Sequence, residues 1–525
     1  MPVPSAERGA ELRARVAAVL DRASGRASAD ALAPAMRAFA EYRERFSAPM
    51  RVAIVGRVSS GKSTLANALL GCRIVATGVE ELTYNVNWLR HAAVPDVTVH
   101  FKDYRTPEHR SLDELEALTV RSDQFRELLS EIDYLVISDP NPYLKAFDLI
   151  DTPGLDSHFS EDSANTMRFL GLDEAKVRAV TVEHAAKADA LVLVFARGAA
   201  SGEAELLRDF QRNDSVSSAA SPLTAVGVLT KVEQYWDPDQ QPDPMRTGQR
   251  LAERLMEEGG ASRYLYHLYP VASLVGEAAV TFDAEDLADL TALAAVDPAE
   301  LEDSLGFGPG FANDEQSGLP VPAARRRVLF DRFSAYGIAL ACSLVRDGAA
   351  DERTLRTELA ARSGMTDFRR SLVDHFGRRA DLIKLQHLTG QVRDIPELFA
   401  DPLQPGDRAC LDAAIAEVTQ LEYKEHAFRE LAVLRSFYKK ELPVSDAEAE
   451  ELARVFGESG TSAAARLGLP ETATSAELRD RAYQRHAYWS ARTVEGLAGP
   501  LHHAGMVLRR SYENLIDAIE TQGVQ

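Results

Sequence analysis

Residues 51–71 read RVAIVGRVSSGKSTLANALLG and carry three structural signals in a row. The apolar run RVAIVG predicts a buried strand, and the segment that begins near Lys62 has the spacing of an amphipathic helix. Between them lies the pattern G-x-x-x-x-G-K-S, from Gly56 to Ser63. A strand, this loop and a helix in that order are the context of a P-loop that binds phosphates.

The residues of this loop suit each part of a nucleoside triphosphate. Its two glycines let the backbone approach the phosphates closely and point successive amides at them. The start of the helix adds about half a unit of positive charge. Lys62 is expected to reach the β- and γ-phosphates, and the Ser63 hydroxyl is expected to bind Mg²⁺. The predicted contacts in this loop are Gly56, Arg57, Ser59, Ser60, Gly61, Lys62, Ser63 and Thr64.

A second phosphate signal follows the apolar run FDLI, which continues into Asp151, Thr152, Pro153 and Gly154. Asp151 is expected to hold Mg²⁺ through water, and the Gly154 amide is expected to bind the γ-phosphate. The same residue types also favour an ordinary turn after a strand. Because they follow a P-loop in the expected order, we interpret them as part of the nucleotide site.

Base recognition is predicted where the apolar run LTAVGVLT ends in Thr230, followed by Lys231 and Glu233. GTPases commonly have Thr or Asn, Lys, any residue and then Asp here, with the carboxylate bonded to guanine N1 and N2. Glu233 is one methylene longer than Asp, and a shift of about 1 Å weakens a bidentate pair. In the next predicted strand end, an amide near Ala272 could meet guanine O6, with Ser273 beside it.

The chain around these motifs predicts an α/β fold with helical additions. Short apolar runs alternate with helical segments, which indicates a mainly parallel sheet covered on both faces. The runs that predict strands are RVAIVG, DVTVHF, AFDLIDTPG, ADALVLVFA, LTAVGVLT and YLYHLYPVAS. We predict an N-terminal helical segment at 1–48 and a P-loop domain at 49–280. An acidic, Gly- and Pro-rich linker is predicted at 281–322, followed by an all-α bundle or stalk at 323–525.

Charge and composition exclude several classes of protein. The net charge of −21 argues against general binding to nucleic acid. Cys72, Cys342 and Cys410 lie far apart, so neither a disulfide framework nor a zinc site is indicated. The N-terminus lacks a signal-peptide pattern, and no uninterrupted apolar stretch approaches the roughly 18 to 20 residues of a membrane span. We expect a cytoplasmic protein, with peripheral contact to a membrane left open.

The blocks GRVSSGKSTLANALLG and VATGVEELTYNV resemble the P-loop, first helix and switch of the bacterial dynamin-like GTPases. Thr77 and Thr83 are both candidates for the switch threonine that binds Mg²⁺ and the γ-phosphate, and the resemblance favours Thr83. It implies hydrolysis of GTP to GDP with Mg²⁺, coupling to helical rearrangement, and self-association or a related GTPase partner. The motifs that carry it cover about residues 50–275.

Two residues depart from that family. Many dynamins have Gln where this chain has Val58, and Val58 cannot hydrogen-bond the attacking water. Glu233 replaces the usual Asp. These departures leave two alternatives open: a slow regulatory GTPase switch that binds a partner protein in the triphosphate state, and an ATPase of similar architecture.

A last pattern lies near the C-terminus, in LGLPETATSAELRDRAYQRHAYW. Thr474 and Glu477 have the spacing of a capping box at a helix start. We predict a capped structural helix there. His486, Tyr488 and Trp489 are then expected in a core or an interface.

Overall fold

The computed structural model describes residues 4–26, 30–57, 59–72, 74, 86–103, 105–115, 118, 131–152, 188–196, 221–258, 260–315, 318–399, 401–495 and 499–522. Val58, Thr77, Thr83 and Gly154 lie outside these residues. Their predicted roles therefore stay predictions.

The chain forms two compact units. The α/β unit comprises Arg51–Ala220 and Ala225–Leu372, and the helical unit comprises Met1–Met50, Ser221–Thr224 and Val373–Gln525. The N-terminal helices therefore belong to the same unit as the C-terminal helices. The first helices after residue 322 belong to the α/β unit, so the structure draws its boundary about 50 residues later than the sequence pattern does.

The α/β unit is built on one mixed, mostly parallel sheet, which confirms the predicted fold class. Its strands are β1 Met50–Gly56, β2 Val86–His91, β3 Asp96–Phe101, β4 Glu108–Arg110, β5 Ile132–Asp139, β6 Phe147–Asp151, β7 Ala190–Ala196, β8 Ala225–Thr230 and β9 Leu268–Pro270. Their order across the sheet is β4-β3-β5-β2-β6-β1-β7-β8-β9. The central strands β1, β7 and β8 pair in parallel and are buried on both faces, as their continuous apolar runs require.

Three strands were not predicted: β2, β4 and β5. Polar residues interrupt the apolar runs of two of them: Asn87 and Arg90 in β2, and Asp133 and Ser138 in β5. β2 and β5 pair in parallel, and β2 also pairs antiparallel with β6. Pairing with neighbouring strands, rather than their own hydrophobic pattern, makes these segments strands.

The described α-helices are, in chain order, α1 Pro4–Arg26, α2 Ala33–Ser47, α3 Lys62–Leu70, α4 Pro244–Glu257, α5 Ser273–Thr281, α6 Ala284–Ala294, α7 Pro298–Gly306, α8 Pro309–Asn313, α9 Ala323–Arg346, α10 Glu352–Arg362, α11 Met365–Ser371, α12 Ala380–Asp394, α13 Pro405–Lys424, α14 His426–Tyr438, α15 Asp446–Val455, α16 Ala463–Leu467, α17 Ser475–Glu495 and α18 Pro500–Gln522.

The predicted linker at 281–322 contains three helices, α6, α7 and α8, and this expectation is wrong for most of its length. The acidic residues that suggested a flexible segment include two helix caps. Asp283 accepts hydrogen bonds from Glu285 N and Asp286 N, and Asp297 caps α7 in the same manner. Buried leucines of α6 and α7 then join a core shared with α5, α9 and α10.

Helix α9 is apolar enough and long enough, by length and composition, to cross a membrane, with a mean hydropathy of 1.5 over its best window. Those criteria are weak evidence, because a buried core helix meets them too. Leu329, Phe333 and Ile338 of α9 are buried in the core described above. The helix is interrupted at Ser334, whose φ is 62°.

The helical unit contains two hydrophobic cores. In the first, α1 and α2 pack with α12 and α13. In the second, α14, α15, α17 and α18 surround the fully buried Trp489. The predicted capping box is confirmed, since Glu477 N donates to Thr474 Oγ1 (3.3 Å) and Thr474 N donates to the Glu477 carboxylate (2.8 Å).

Candidate functional site

The loop between β1 and α3 has the backbone that the P-loop pattern requires. Gly61 adopts a φ of 86°, and Ser59 a φ of 55°, in the left-handed region. At Gly56 the constraint is contact, since a Cβ there would lie 2.6 Å from the backbone oxygen of Val194 in β7. The loop therefore leaves β1 against a neighbouring strand and turns sharply into α3.

Lys62 is the first residue of α3 and is only 6% exposed. Its Nζ donates to the backbone oxygen of Arg57, 2.7 Å away. The ammonium thus lies inside the loop that the sequence assigns to phosphate. Of the other predicted loop contacts, Thr64 lies partly exposed in the first turn of α3, whereas Ser60 is buried.

Ser63 and Asp151, predicted to share a metal, come together at the ends of α3 and β6. The Ser63 hydroxyl donates to Asp151 Oδ2 at 3.1 Å. Asp151 is 0% exposed, and burial raises its pKa to about 6, although the charge of Lys62 and the nearby Ser63 and Asn87 side chains oppose this rise.

This pair fits Mg²⁺. Asp151 Oδ1 is buried and has no hydrogen-bond partner among the described residues. A hydroxyl and a carboxylate oxygen are the donors that Mg²⁺ prefers, together with water and phosphate oxygens. Ser63 and Asp151 are therefore the described residues able to hold the ion.

Two threonines connect this part of the sheet. Thr152, directly after Asp151, donates from Oγ1 to the backbone oxygen of Ile54 in β1 (2.7 Å). Thr230 donates from Oγ1 to the backbone oxygen of Ser60 (2.6 Å). Both hydroxyls are buried. The Thr230 hydroxyl thus supports the P-loop, and the Thr152 hydroxyl joins the end of β6 to β1. The predicted contact of Thr230 with the nucleotide stays a prediction.

The predicted base-recognition residues lie together at the ends of β8 and β9. Glu233 is buried in a turn after β8, and burial raises its pKa to about 7 despite hydrogen bonds from the amides of Glu233 itself and Leu274 and the charge of Lys231. Burial likewise lowers the pKa of Lys231. The Leu274 amide belongs to the first turn of α5, so Glu233 stands at a helix N-terminus, which favours its ionised form.

The amide expected to meet guanine O6 was predicted near Ala272, and the amide of Ala272 itself already has a partner. Ala272 N donates to the backbone oxygen of Ser363 (3.0 Å) and is therefore not free for a base. The adjacent Ser273 hydroxyl is buried without a hydrogen-bond partner among the described residues, and so is Glu233 Oε2. These two side-chain oxygens are therefore available to a ligand at the ends of β8 and β9.

The carboxyl end of α3 is held by residues that the sequence did not identify. Arg369 of α11 donates from Nε to Leu69 O (3.0 Å) and also bonds Ala68 O. Asn141 donates to Leu70 O at 2.6 Å. Within α3, Asn67 donates to Glu277 of α5 at 2.8 Å.

Arg369 and Asn141 donate to carbonyls at the end of α3 that have no partner within the helix. The positive charge of Arg369 is favourable at this end of a helix. The surrounding segment is rich in arginine, a composition typical of a helix whose outer face lies in water. Arg369 instead faces the P-loop helix. No local signal in the sequence distinguishes it from its neighbour Arg370, which is paired with Asp367 near the surface.

Comparison with known proteins agrees with this geometry. The sequence model of the dynamin family matches residues 52–232, which contain the P-loop, Asp151 and Thr230 to Val232. The isoniazid-induced protein IniC of Mycobacterium tuberculosis is 28% identical over 456 residues, covering 87% of each chain. Dynamin-like protein 2 of Campylobacter jejuni is 35% identical over 127 residues, which are 24% of this chain and 19% of that one.

A shorter match is the bacterial dynamin-like protein of Nostoc punctiforme, 29% identical over 20% of this chain and 16% of the relative. Among solved structures, an oligomerised bacterial dynamin pair aligns over 96% of this chain and 91% of that chain, with 13% identity and a TM-score of 0.31. That TM-score is too low to transfer an arrangement of units. The family match and the sequence relatives together confirm the resemblance: residues 52–232 match the dynamin family, and the chain is similar to bacterial dynamin-like proteins.

Proposed function

We propose that this protein binds GTP with Mg²⁺ and hydrolyses it to GDP and phosphate. Members of the dynamin family are GTPases, and the family match covers the nucleotide motifs. The single observation that carries the proposal is the cluster of buried Lys62 with the Ser63–Asp151 pair at the mouth of the P-loop. We extend the proposal to self-association and to a nucleotide-dependent rearrangement of the helical unit.

In the proposed reaction a water oxygen bonds to the γ-phosphorus, the bond from that phosphorus to the β,γ-bridging oxygen breaks, and the products are GDP and phosphate. Bound magnesium would neutralise charge on the β- and γ-phosphates. Lys62 offsets the charge that develops on the bridging oxygen. Ser63 and Asp151 hold the ion, and the amides of the loop orient the phosphates.

The second candidate is a regulatory switch with slow turnover. It is favoured by Val58, which has no group to orient the attacking water. On this proposal the protein turns over GTP slowly until a partner or a second copy completes the site. Turnover per molecule that rises steeply with protein concentration would support the self-associating enzyme, whereas slow turnover at all concentrations with tight nucleotide-dependent partner binding would support the switch.

Base selectivity is tested by measuring the binding and hydrolysis of GTP and ATP side by side. We expect guanine nucleotides to bind at least about 10-fold more tightly, since Glu233 and Lys231 lie together at the predicted base site. In Glu233→Ala the preference should shrink, while the affinity for inorganic triphosphate should stay the same. A preference for ATP in the unaltered protein would contradict the base assignment.

The affinity for GDP is expected to rise by about 10-fold between pH 6 and pH 8. Burial raises the pKa of Glu233 to about 7, and only the ionised carboxylate accepts both guanine N–H groups.

The stability of the nucleotide-free protein changes in the opposite direction. The pKa of Glu233 is higher in the folded protein than its usual value of 4.5, so protonation of Glu233 stabilises the folded protein. This stabilisation is complete below pH 4.5 and is lost as the pH rises through about 7.

Titration of a fluorescent GDP analogue at several pH values checks the expected rise in affinity. The Glu233→Gln variant is the control, because a neutral amide has nothing to titrate in this range. Its affinity should be lower at pH 8 and nearly independent of pH. The same pH slope in both proteins would show that another group is responsible.

A further inference from the structure

Asn87 lies in β2, on the strand next to the one that carries Asp151. β2 and β6 pair antiparallel, and the register places Asn87 directly opposite Asp151. Residues opposite each other in an antiparallel pair have Cβ atoms about 5 Å apart, so their side chains are close neighbours. Asn87 is 0% exposed.

The side-chain amide of Asn87 lies close enough to the Asp151 carboxylate to lower the pKa of that group, yet it makes no hydrogen bond of normal geometry among the described residues. Neither its Nδ2 nor its Oδ1 makes such a bond, and the same is true of Asp151 Oδ1. Burying polar atoms without hydrogen bonds is unfavourable, and the exceptions in native proteins mark functional groups or the positions of water and ions. Asn87 and Asp151 lie opposite each other beside the candidate metal site, and both have buried polar atoms without hydrogen bonds of normal geometry. We therefore expect one ligand to contact both side chains.

The chemistry of the three open atoms defines that ligand. Asn87 Oδ1 and Asp151 Oδ1 are acceptors, and Asn87 Nδ2 is a donor. Mg²⁺ keeps several of its waters when it binds to a protein, and those waters donate hydrogen bonds to carboxylate and carbonyl oxygens. Residues that orient such contacts often matter almost as much as the direct ligands.

We propose that Asn87 is a positioning residue for the magnesium site: its Oδ1 accepts a hydrogen bond from a metal-bound water, and the side chain orients the Asp151 carboxylate. This inference rests on the proposed binding of a magnesium–nucleotide complex. It adds a residue from β2, which follows the predicted switch segment directly in the chain. Neither the family motifs nor the hydrophobic pattern identifies Asn87; only the pairing of β2 with β6 does.

The test uses the full-length protein and Asn87→Leu, which has a similar shape and no polar atoms, with Asn87→Ala as a second variant. A fluorescent GDP analogue is titrated in EDTA and at increasing Mg²⁺ concentrations. We expect the Mg²⁺ concentration needed for half-maximal tightening of GDP binding to rise by about 10- to 100-fold. The affinity in EDTA should change by less than about 3-fold, because no nucleotide contact is removed.

Stability separates this role from a purely structural one. The melting temperature of nucleotide-free Asn87→Leu should equal or exceed that of the unaltered protein, since the change removes buried polar atoms that make no hydrogen bond of normal geometry among the described residues. Asn141→Ala is the matched control, because Asn141 is also buried but donates to Leu70 O and accepts from Tyr143 N. That variant should melt at a lower temperature and keep the normal response to Mg²⁺.

Three results would overturn the inference. If GDP binding to the unaltered protein does not respond to Mg²⁺, the proposed magnesium site fails and Asn87 loses its role with it. If the unaltered protein responds and both Asn87 variants respond equally, only the role of Asn87 fails. If the variants lose affinity equally in EDTA and in Mg²⁺, Asn87 supports the fold rather than the ion.

Discussion

Replacing Lys62 by alanine is expected to lower the rate of GTP hydrolysis by at least about 10²- to 10³-fold. The ammonium is buried inside the P-loop, 2.7 Å from the carbonyl of Arg57, where charge interactions are much stronger than in water. Its removal leaves developing negative charge in the transition state without compensation.

Hydrolysis and nucleotide affinity, measured separately, check this prediction. Lys145→Ala is a suitable control, since Lys145 is an exposed lysine in a turn of the same unit and lies outside the proposed site. It should keep the normal rate. If Lys62→Ala turned over GTP as fast as the unaltered protein, the assignment of the phosphate site would be wrong.

Replacing Asp151 by asparagine is expected to make the nucleotide-free protein more stable and the enzyme nearly inactive. Burial raises the pKa of Asp151 from 3.8 to about 6, so the ionised carboxylate destabilises the folded protein at neutral pH. A neutral asparagine removes that cost but weakens the bond from Ser63. The net gain should be about 1–2 kcal/mol at pH 7.5.

The difference in stability between Asp151→Asn and the unaltered protein should depend on pH. The pKa of Asp151 is raised in the folded protein, so protonation of Asp151 stabilises the fold. This stabilisation is complete below pH 3.8 and is lost as the pH rises through about 6. The two proteins should therefore unfold at similar denaturant concentrations near pH 4 and differ most above pH 6. Over the same range, Asp151→Asn should lose about 10- to 100-fold in affinity for Mg²⁺ in the presence of GDP.

Denaturant unfolding from pH 4 to pH 8, combined with Mg²⁺ titration, measures both effects. A residue kept at a cost to stability is what a functional site requires. Should the asparagine variant prove less stable at pH 7.5 and bind Mg²⁺ normally, Asp151 would be a structural carboxylate and the metal site would lie elsewhere.

Much of the nucleotide site can be predicted from the sequence because its signals are local. The P-loop from Gly56 to Ser63 depends on residues within one turn between a strand and a helix, where backbone geometry dictates the residue type. The same is true of the Thr474 and Glu477 capping box, whose hydrogen bonds join residues three positions apart. In both cases the residues that interact are also neighbours in the chain.

Other features depend on contacts between distant parts of the chain. Arg369 contacts the end of α3 from about 300 residues away, and α1 shares a core with α13. The region at 281–322 resembles a linker in composition, yet it is helical because its leucines pack against α9 and α10.

The residues of the proposed metal site differ in the same way. Ser63 and Asp151 are visible as motifs, whereas Asn87 gains its meaning from the register of β2 against β6. Local patterns reveal which residue types a backbone turn needs. Only tertiary pairing determines which buried polar groups face each other, because that depends on strand order and register, which residue spacing along a single segment does not encode.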